Sequence, residues 1–485
     1  MRLEPPRTPL IAPSLAPSLG ERSRFLATAS AADGDAHEHS RILLLTSGLG
    51  LGHVRAAQAV EAALRERAEV FTLDLWSLMN AGVARAVHAT YLSLVQNHPE
   101  LYERLYHLDE RTWRQILESE SGPPRAVLEV LELISGIAAN ASLDVPRGGR
   151  YGSDRLLLSL LCAALPYDGE SLAGNGVRAR LALMKWSWLR LIRRLEAAVR
   201  KVSPQVVIST QMIPAAMACY LKQRGKLAAA IVGVMTDFGI HDFWKQRGIE
   251  RYCIAHESIA GSIGTRFAFS AGVAQTGLEM ATGVPLMPEF AWPLSQPEAR
   301  RALQLPADAN IVLVLGGGLG LSVDIAASAL LRPDRRMHVV VMPGRNVSAR
   351  EALARLAESH GSRLTVCSWT DRMDVYLRAA DLVVGKPGGI TVAEALACGR
   401  PLLATRSLGG QEGFNVSFLE RNGVGGLVAD GELLERVHAL LAKRDLLHRM
   451  QRRAWLLGRR DGAERVADLA LELAAQRRAV AALSR

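Results

Sequence analysis

Short apolar runs recur along this chain, each closed by glycine or polar residues and followed by apolar positions at helical spacing. Ile42–Leu45 is the first, then Val70–Leu73, Val206–Ser209, Ile231–Met235 and Tyr252–Ala255. Runs without a polar face, alternating with helical stretches, predict strands buried in a parallel α/β sheet. The pattern restarts at Ile311–Leu315 and continues through Val339–Met342, Leu364–Val366, Asp381–Val384 and Leu402–Ala404. Each half opens with strand, glycine loop and helix, which predicts two Rossmann-like domains facing across a cleft. The expected boundaries are 41–290 for the first domain and 291–455 for the second. A stretch carrying Pro285, Pro288, Pro293, Pro297 and Pro306 reads as the connection between them. Residues 1–40 lack periodicity and read as a disordered tail, and 456–485 as an Arg-rich helical tail. Residues about 118–180 break the rhythm and read as an insertion in the first domain.

Composition narrows the picture. The chain has 485 residues, 49% hydrophobic and 22% charged, enough for two full cores. Its formal charge of +10 favours anionic partners, but the basic residues are scattered and no nucleic-acid motif accompanies them. Phosphate ligands and an anionic membrane surface are therefore the expected partners, and nucleic acid is not. The five cysteines lie far apart, as buried thiols of a reducing compartment would. No apolar segment reaches the ~20 residues of a membrane span, and no compact signal peptide opens the chain. These readings point to a cytoplasmic protein, peripheral on the inner face of a membrane.

Four segments could carry chemistry. In Lys386-Pro387-Gly388-Gly389, glycines let backbone approach a ligand, and the next helix offers unpaired N–H groups to an anion. A polar loop with Gln411, Glu412 and Asn415 follows, suited to the sugar of a nucleotide diphosphate. Gly316-Gly317-Gly318-Leu319-Gly320 would bring further N–H groups to a diphosphate. Ser47 to Gly52 is another glycine loop, and His53 at the next helix start could accept a proton from a hydroxyl or simply cap the helix.

Thr236 to Trp244 sits at a strand's carboxyl end, where Asp237 could serve as base or acceptor contact, or as a cap before an aromatic core cluster. His241 and Asp242 lack a third partner for a metal. Residues 178–201 form a basic amphipathic helix, able to lie on an anionic bilayer or to pack its apolar face on the sheet. Asp33-Gly34-Asp35 lies in the tail and is a decoy.

With these motifs in hand, the chain resembles the monogalactosyldiacylglycerol synthase and processive diacylglycerol glycosyltransferase family, relatives of the lipid I GlcNAc transferase. The resemblance rests on Leu44–Ala57, Pro204–Ser209, Thr236–Tyr252, Gly283–Phe290, Gly316–Leu321 and, most specifically, Lys386–Asn415. It implies a GT-B fold and inverting transfer of a hexose from a UDP-sugar to a lipid, diacylglycerol foremost, without metal or other cofactor. A polyprenyl-linked acceptor and a non-catalytic UDP-sugar binder are the alternatives.

By the same resemblance His53 is the general base or an acceptor-positioning group, with Asp237 near the acceptor. Gly317, Gly318, Gly388, Gly389 and Thr391 hold the diphosphate, Glu394 the ribose, and Gln411, Glu412 and Asn415 the sugar. Gly52, His241, Trp244, Trp186, Trp188, Arg190, Arg193 and Arg194 are the expected acceptor and membrane side.

Overall fold

The computed structural model describes residues 40–48, 50–79, 84, 190–263, 278–320, 322–331, 337–367, 369–405, 410–429 and 431–483. Two six-stranded sheets dominate them, and every strand pair is parallel. The first has the order β2-β1-β3-β4-β5-β6. Its strands are β1 (Arg41–Thr46), β2 (Glu69–Asp74), β3 (Val206–Ser209), β4 (Ala230–Val234), β5 (Arg251–Ile254) and β6 (Glu279–Ala281).

The second sheet has the order β12-β11-β10-β7-β8-β9. It comprises β7 (Asn310–Leu315), β8 (Met337–Met342), β9 (Leu364–Val366), β10 (Leu382–Gly385), β11 (Leu402–Ala404) and β12 (Gly425–Leu427). This is the doubly wound Rossmann order, with its switch point between β7 and β10; the first sheet switches between β1 and β3. Loops leaving such neighbouring strands diverge to opposite faces and leave a crevice at the strands' carboxyl ends. The motifs after β1, β3, β7 and β10 therefore converge.

The helices are α1 (Leu51–Leu64), α2 (Met212–Gln223), α3 (Gln296–Ala302), α4 (Val323–Leu330), α5 (Val347–His360), α6 (Met373–Ala379) and α7 (Gly389–Ala397). Beyond them come α8 (Gln411–Arg421), α9 (Leu433–Ala442), α10 (Arg444–Leu457) and α11 (Gly462–Leu483). Residues 190–202 are also helical. One face of β7, β8 and β10 is covered through Val312, Val314, Val339 and Val384, packed with Ala327, Leu353 and Val437. The opposite face, through Leu313 and Val383, belongs to a cluster that runs on into the first domain through Leu43 and Val207.

Three elements differ from the sequence reading. The expected C-terminal helical tail is not free: α11 crosses back to the first domain, and Val466, Ala467, Ala470 and Leu473 pack with Ile42, Leu44 and Val60. Gln411, Glu412 and Asn415 sit on the first turns of helix α8, not in a loop. The apolar positions Val416, Phe418 and Leu419 that complete this helix lie beyond the polar residues that suggested a loop.

Finally, the apolar face of helical residues 190–202 is spent on the core, where Leu191, Ile192, Leu195 and Val199 are buried. That part of the expected membrane helix offers no apolar face to a bilayer. Trp186, Trp188 and the 118–180 insertion lie outside the described residues.

Candidate active site

His53 is built in from three elements. It lies in the first turn of α1, on the switch-point side of β1, and its Nδ1 is 2.8 Å from the carbonyl oxygen of Thr210, the residue after β3. A carbonyl can only accept, so Nδ1 carries the proton and Nε2 keeps the lone pair. The Thr210 hydroxyl fixes the histidine a second time, donating to the His53 carbonyl at 3.0 Å and lying 3.0 Å from the Thr46 hydroxyl. Burial lowers the imidazole pKa from its usual value, against the raising influences of Asp237 and the Thr210 carbonyl. A neutral imidazole with Nε2 free is the form a general base requires.

Asp237 follows β4 and meets the C-terminal domain directly. Its Oδ1 accepts from Asn415 Nδ2 at 2.9 Å, and its Oδ2 accepts from the Thr236 hydroxyl at 3.4 Å. That hydroxyl oxygen lies 3.3 Å from His53 Nδ1. The two domains come close enough here that side chains are excluded. A Cβ on Gly389 would stand 1.8 Å from the Thr236 carbonyl oxygen, and one on Gly318 would stand 2.1 Å from Leu51 Cδ1. Gly52 faces Ile390 across the same seam.

In the second domain, α7 follows Gly388 without a side-chain cap, so its first turn presents backbone N–H groups at the crevice. A Cβ on Gly388 would meet only the Thr391 hydroxyl, at 4.0 Å, and Thr391 lies in that first turn. Lys386 forms an ion pair with the buried Glu412. Glu394, one turn further along α7, has its carboxyl pushed up to about 7 by desolvation, with Arg55 opposing and Glu289 and Asp374 adding to the rise.

In the 316–320 loop, Gly320 takes φ +59° and packs where a Cβ would strike the Pro343 carbonyl oxygen. Three of its glycines thus answer to protein packing, Gly316 against Gly320 and Val323, Gly318 against Leu51 and Gly320 against Pro343. Gly317 is the less enclosed, with Lys386 Cδ 3.8 Å from its Cβ position.

Several expected site residues do other work. Trp244 is buried in the core, and its carbonyl accepts from the Tyr252 hydroxyl at 2.8 Å, so it lines no acceptor wall. His241 Nδ1 accepts from the Phe243 N–H at 3.1 Å, a local cap of the turn Asp242–Trp244. Glu412 spends its carboxylate on Lys386, and Asn415 is fully buried, so neither stands open to a sugar; Gln411 remains partly accessible. Arg194 donates to the Leu78 carbonyl, Arg193 is exposed and Arg190 is half-buried.

The sequence reading assigned no role to Thr210, Thr236 or Lys386, although Thr236 and Lys386 stand within its motifs. The signal for all three was position, since each lies within two residues of a strand's carboxyl end.

Two domains built on parallel sheets, meeting along their switch-point edges, with a buried histidine on one side and an uncapped helix on the other, define the GT-B class. The crystal structure of Acinetobacter baumannii MurG shares the fold, with a TM-score of 0.54 and 14% identity over 89% of this chain and 99% of that one.

Residues 179–286 match the family model of monogalactosyldiacylglycerol (MGDG) synthase, and residues 311–466 match that of the glycosyltransferase family 28 C-terminal domain. The first half thus resembles the MGDG synthases and the second half the family 28 glycosyltransferases. A processive diacylglycerol beta-glucosyltransferase of Bacillus subtilis (strain 168) is 29% identical over 263 residues, 54% of this chain. The match spans 66% of that relative, just under two thirds of its length. A protein of the same name from Bacillus thuringiensis (strain Al Hakam) is 26% identical over 90% of this chain and 94% of its own.

Proposed function

We propose that this chain transfers a hexose from a UDP-sugar to the hydroxyl of a lipid, diacylglycerol foremost, at a membrane surface. The observation that carries the reading is the tautomer of His53. Thr210 holds Nδ1 protonated, which leaves the basic lone pair on Nε2 in the first turn of α1. In the proposed reaction Nε2 takes the proton of the acceptor hydroxyl as its oxygen attacks the anomeric carbon. The bond from that carbon to the diphosphate oxygen breaks, and UDP leaves against the backbone N–H groups of α7. Attack opposite the leaving group inverts the anomeric centre. The helix dipole supplies positive charge to the departing diphosphate, and the proposed mechanism routes no step through a metal.

Names of the relatives support diacylglycerol as acceptor and glucose among the donors. Among the described residues no helix is long and apolar enough to cross a membrane, which is compatible with access to lipid from one face. The test is UDP release with each common UDP-sugar, with and without diacylglycerol in anionic liposomes, for the native chain and His53→Ala. Lipid-dependent release that His53→Ala abolishes establishes the reaction and identifies the donor. Donor binding without diacylglycerol-dependent turnover redirects the search to polyprenyl-linked acceptors, and no donor binding overturns the reading.

A further inference from the structure

Asn415 has no accessible surface, and its amide is committed to protein on every side. Nδ2 donates to Asp237 Oδ1 and to the Pro387 carbonyl oxygen, each at 2.9 Å. Oδ1 accepts from the Phe238 N–H at 2.8 Å. Two of these three bonds cross from α8 of the second domain to the segment after β4 of the first. The third ties α8 to the glycine loop that opens α7. Beside them the Phe238 and Phe418 rings pack at 4.3 Å, sealing the junction from water. Only a primary amide of this size offers two donors and an acceptor here. Aspartate would set carboxylate against carboxylate, and an apolar residue would strand three polar groups.

We infer that Asn415 is a positioning residue that couples docking of the donor domain to the His53 base. Its amide holds the Asp237 carboxylate, and Asp237 in turn orients Thr236 beside His53 Nδ1. Asp237 is the charged group that acts on His53, so the base meets its carboxylate partner fully only when the two domains are joined through Asn415. The chain of contacts runs α8, Asp237, Thr236, His53 and reaches the histidine without passing through any sugar position. The kinetic consequence rests on the transferase reading above; the contact chain can be tested without it.

The experiment uses the full chain as native protein, Asn415→Ala, Asn415→Ser and Asp237→Asn, with UDP binding and circular dichroism confirming the fold of each. The His53 ring proton, assigned with His53→Ala, is followed by NMR against pH, and hexose transfer to diacylglycerol vesicles is measured alongside. Coupling predicts that Asn415→Ala lowers kcat about tenfold or more, with the UDP-sugar KM changed less than about threefold. It also predicts that the His53 titration moves to lower pH, because the carboxylate that raises it is no longer held in place. Asp237→Asn reproduces that displacement with Asn415 intact. Asn415→Ser, whose hydroxyl is too short to span the junction, carries the test if the alanine variant does not fold.

A KM raised about tenfold with kcat and the His53 titration unchanged would make Asn415 a sugar contact and overturn the inference. If the native chain transfers no hexose, the NMR measurement still decides. A His53 displacement in both variants sustains the coupling while the transferase reading falls, and an unmoved titration sinks the coupling alone.

Discussion

Gly389→Ala adds a single methyl group where the two domains touch. The new Cβ would lie 1.8 Å from the Thr236 carbonyl oxygen and 2.7 Å from Asp237 Oδ1. Carbon and oxygen settle at about 3.3 Å, so the segments must part by roughly 1.5 Å. Thr236 lies two residues beyond β4, whose backbone is paired on both sides, and Met235 between them still donates to the Cys253 carbonyl, so the Thr236 carbonyl cannot swing away alone. Parting by that distance carries the Asn415–Asp237 bond of 2.9 Å and the Phe238–Asn415 bond of 2.8 Å beyond hydrogen-bonding range.

One charge-assisted bond and one neutral bond are together worth about 3 kcal/mol. The joined state then falls about a hundredfold, at 1.4 kcal/mol per factor of ten. Within α7 itself alanine is the better helix former, so neither domain loses stability of its own. We expect kcat/KM for hexose transfer to drop about a hundredfold while circular dichroism is unchanged and UDP affinity, by calorimetry, stays within about threefold. Transfer within threefold of the native rate would refute the argument. So would a loss confined to UDP affinity, which would make Gly389 a diphosphate contact instead.

The Glu394 carboxyl, raised from its usual range to about 7, is protonated below that pH and ionised above it. If its carboxylate accepts from ribose hydroxyls, UDP binding tightens about tenfold between pH 6 and 8, and Glu394→Gln removes the dependence; calorimetry across that range checks it. Arg300→Ala leaves the buried Asp381 carboxylate and the Ala379 carbonyl without their guanidinium partner, so chemical denaturation should show a loss of about 3 kcal/mol or more. Leu473→Ala opens a cavity between α11 and the first sheet; a loss of about 2–3 kcal/mol is expected, whereas a free tail would lose nothing measurable.

Much of the scaffold was legible because parallel strands, covered on both faces, must be written as unbroken apolar runs. Ile42–Leu45, Val206–Ser209 and Ile311–Leu315 fell within a residue or two of β1, β3 and β7 for that reason. β12 escaped, since Gly425-Gly426-Leu427 has the composition of a turn and becomes a strand only through pairing with β11. The glycine motifs and His53 were legible as chemistry, because backbone approach and proton transfer need those residue types wherever they occur.

What each polar side chain does was not legible, because its partners are distant in sequence. Asn415 reads as a sugar ligand until Asp237, 178 positions away, and Pro387 are seen to consume its amide. Trp244 reads as an acceptor wall until the core closes over it. α11 announces an apolar face, but nothing local says that this face belongs to the first sheet and not to the second domain it follows. Local pattern determines which residues must be buried or must bend. Which neighbour they are buried against is set by the joining of two sheets along their switch-point edges, and that exists only in the folded chain.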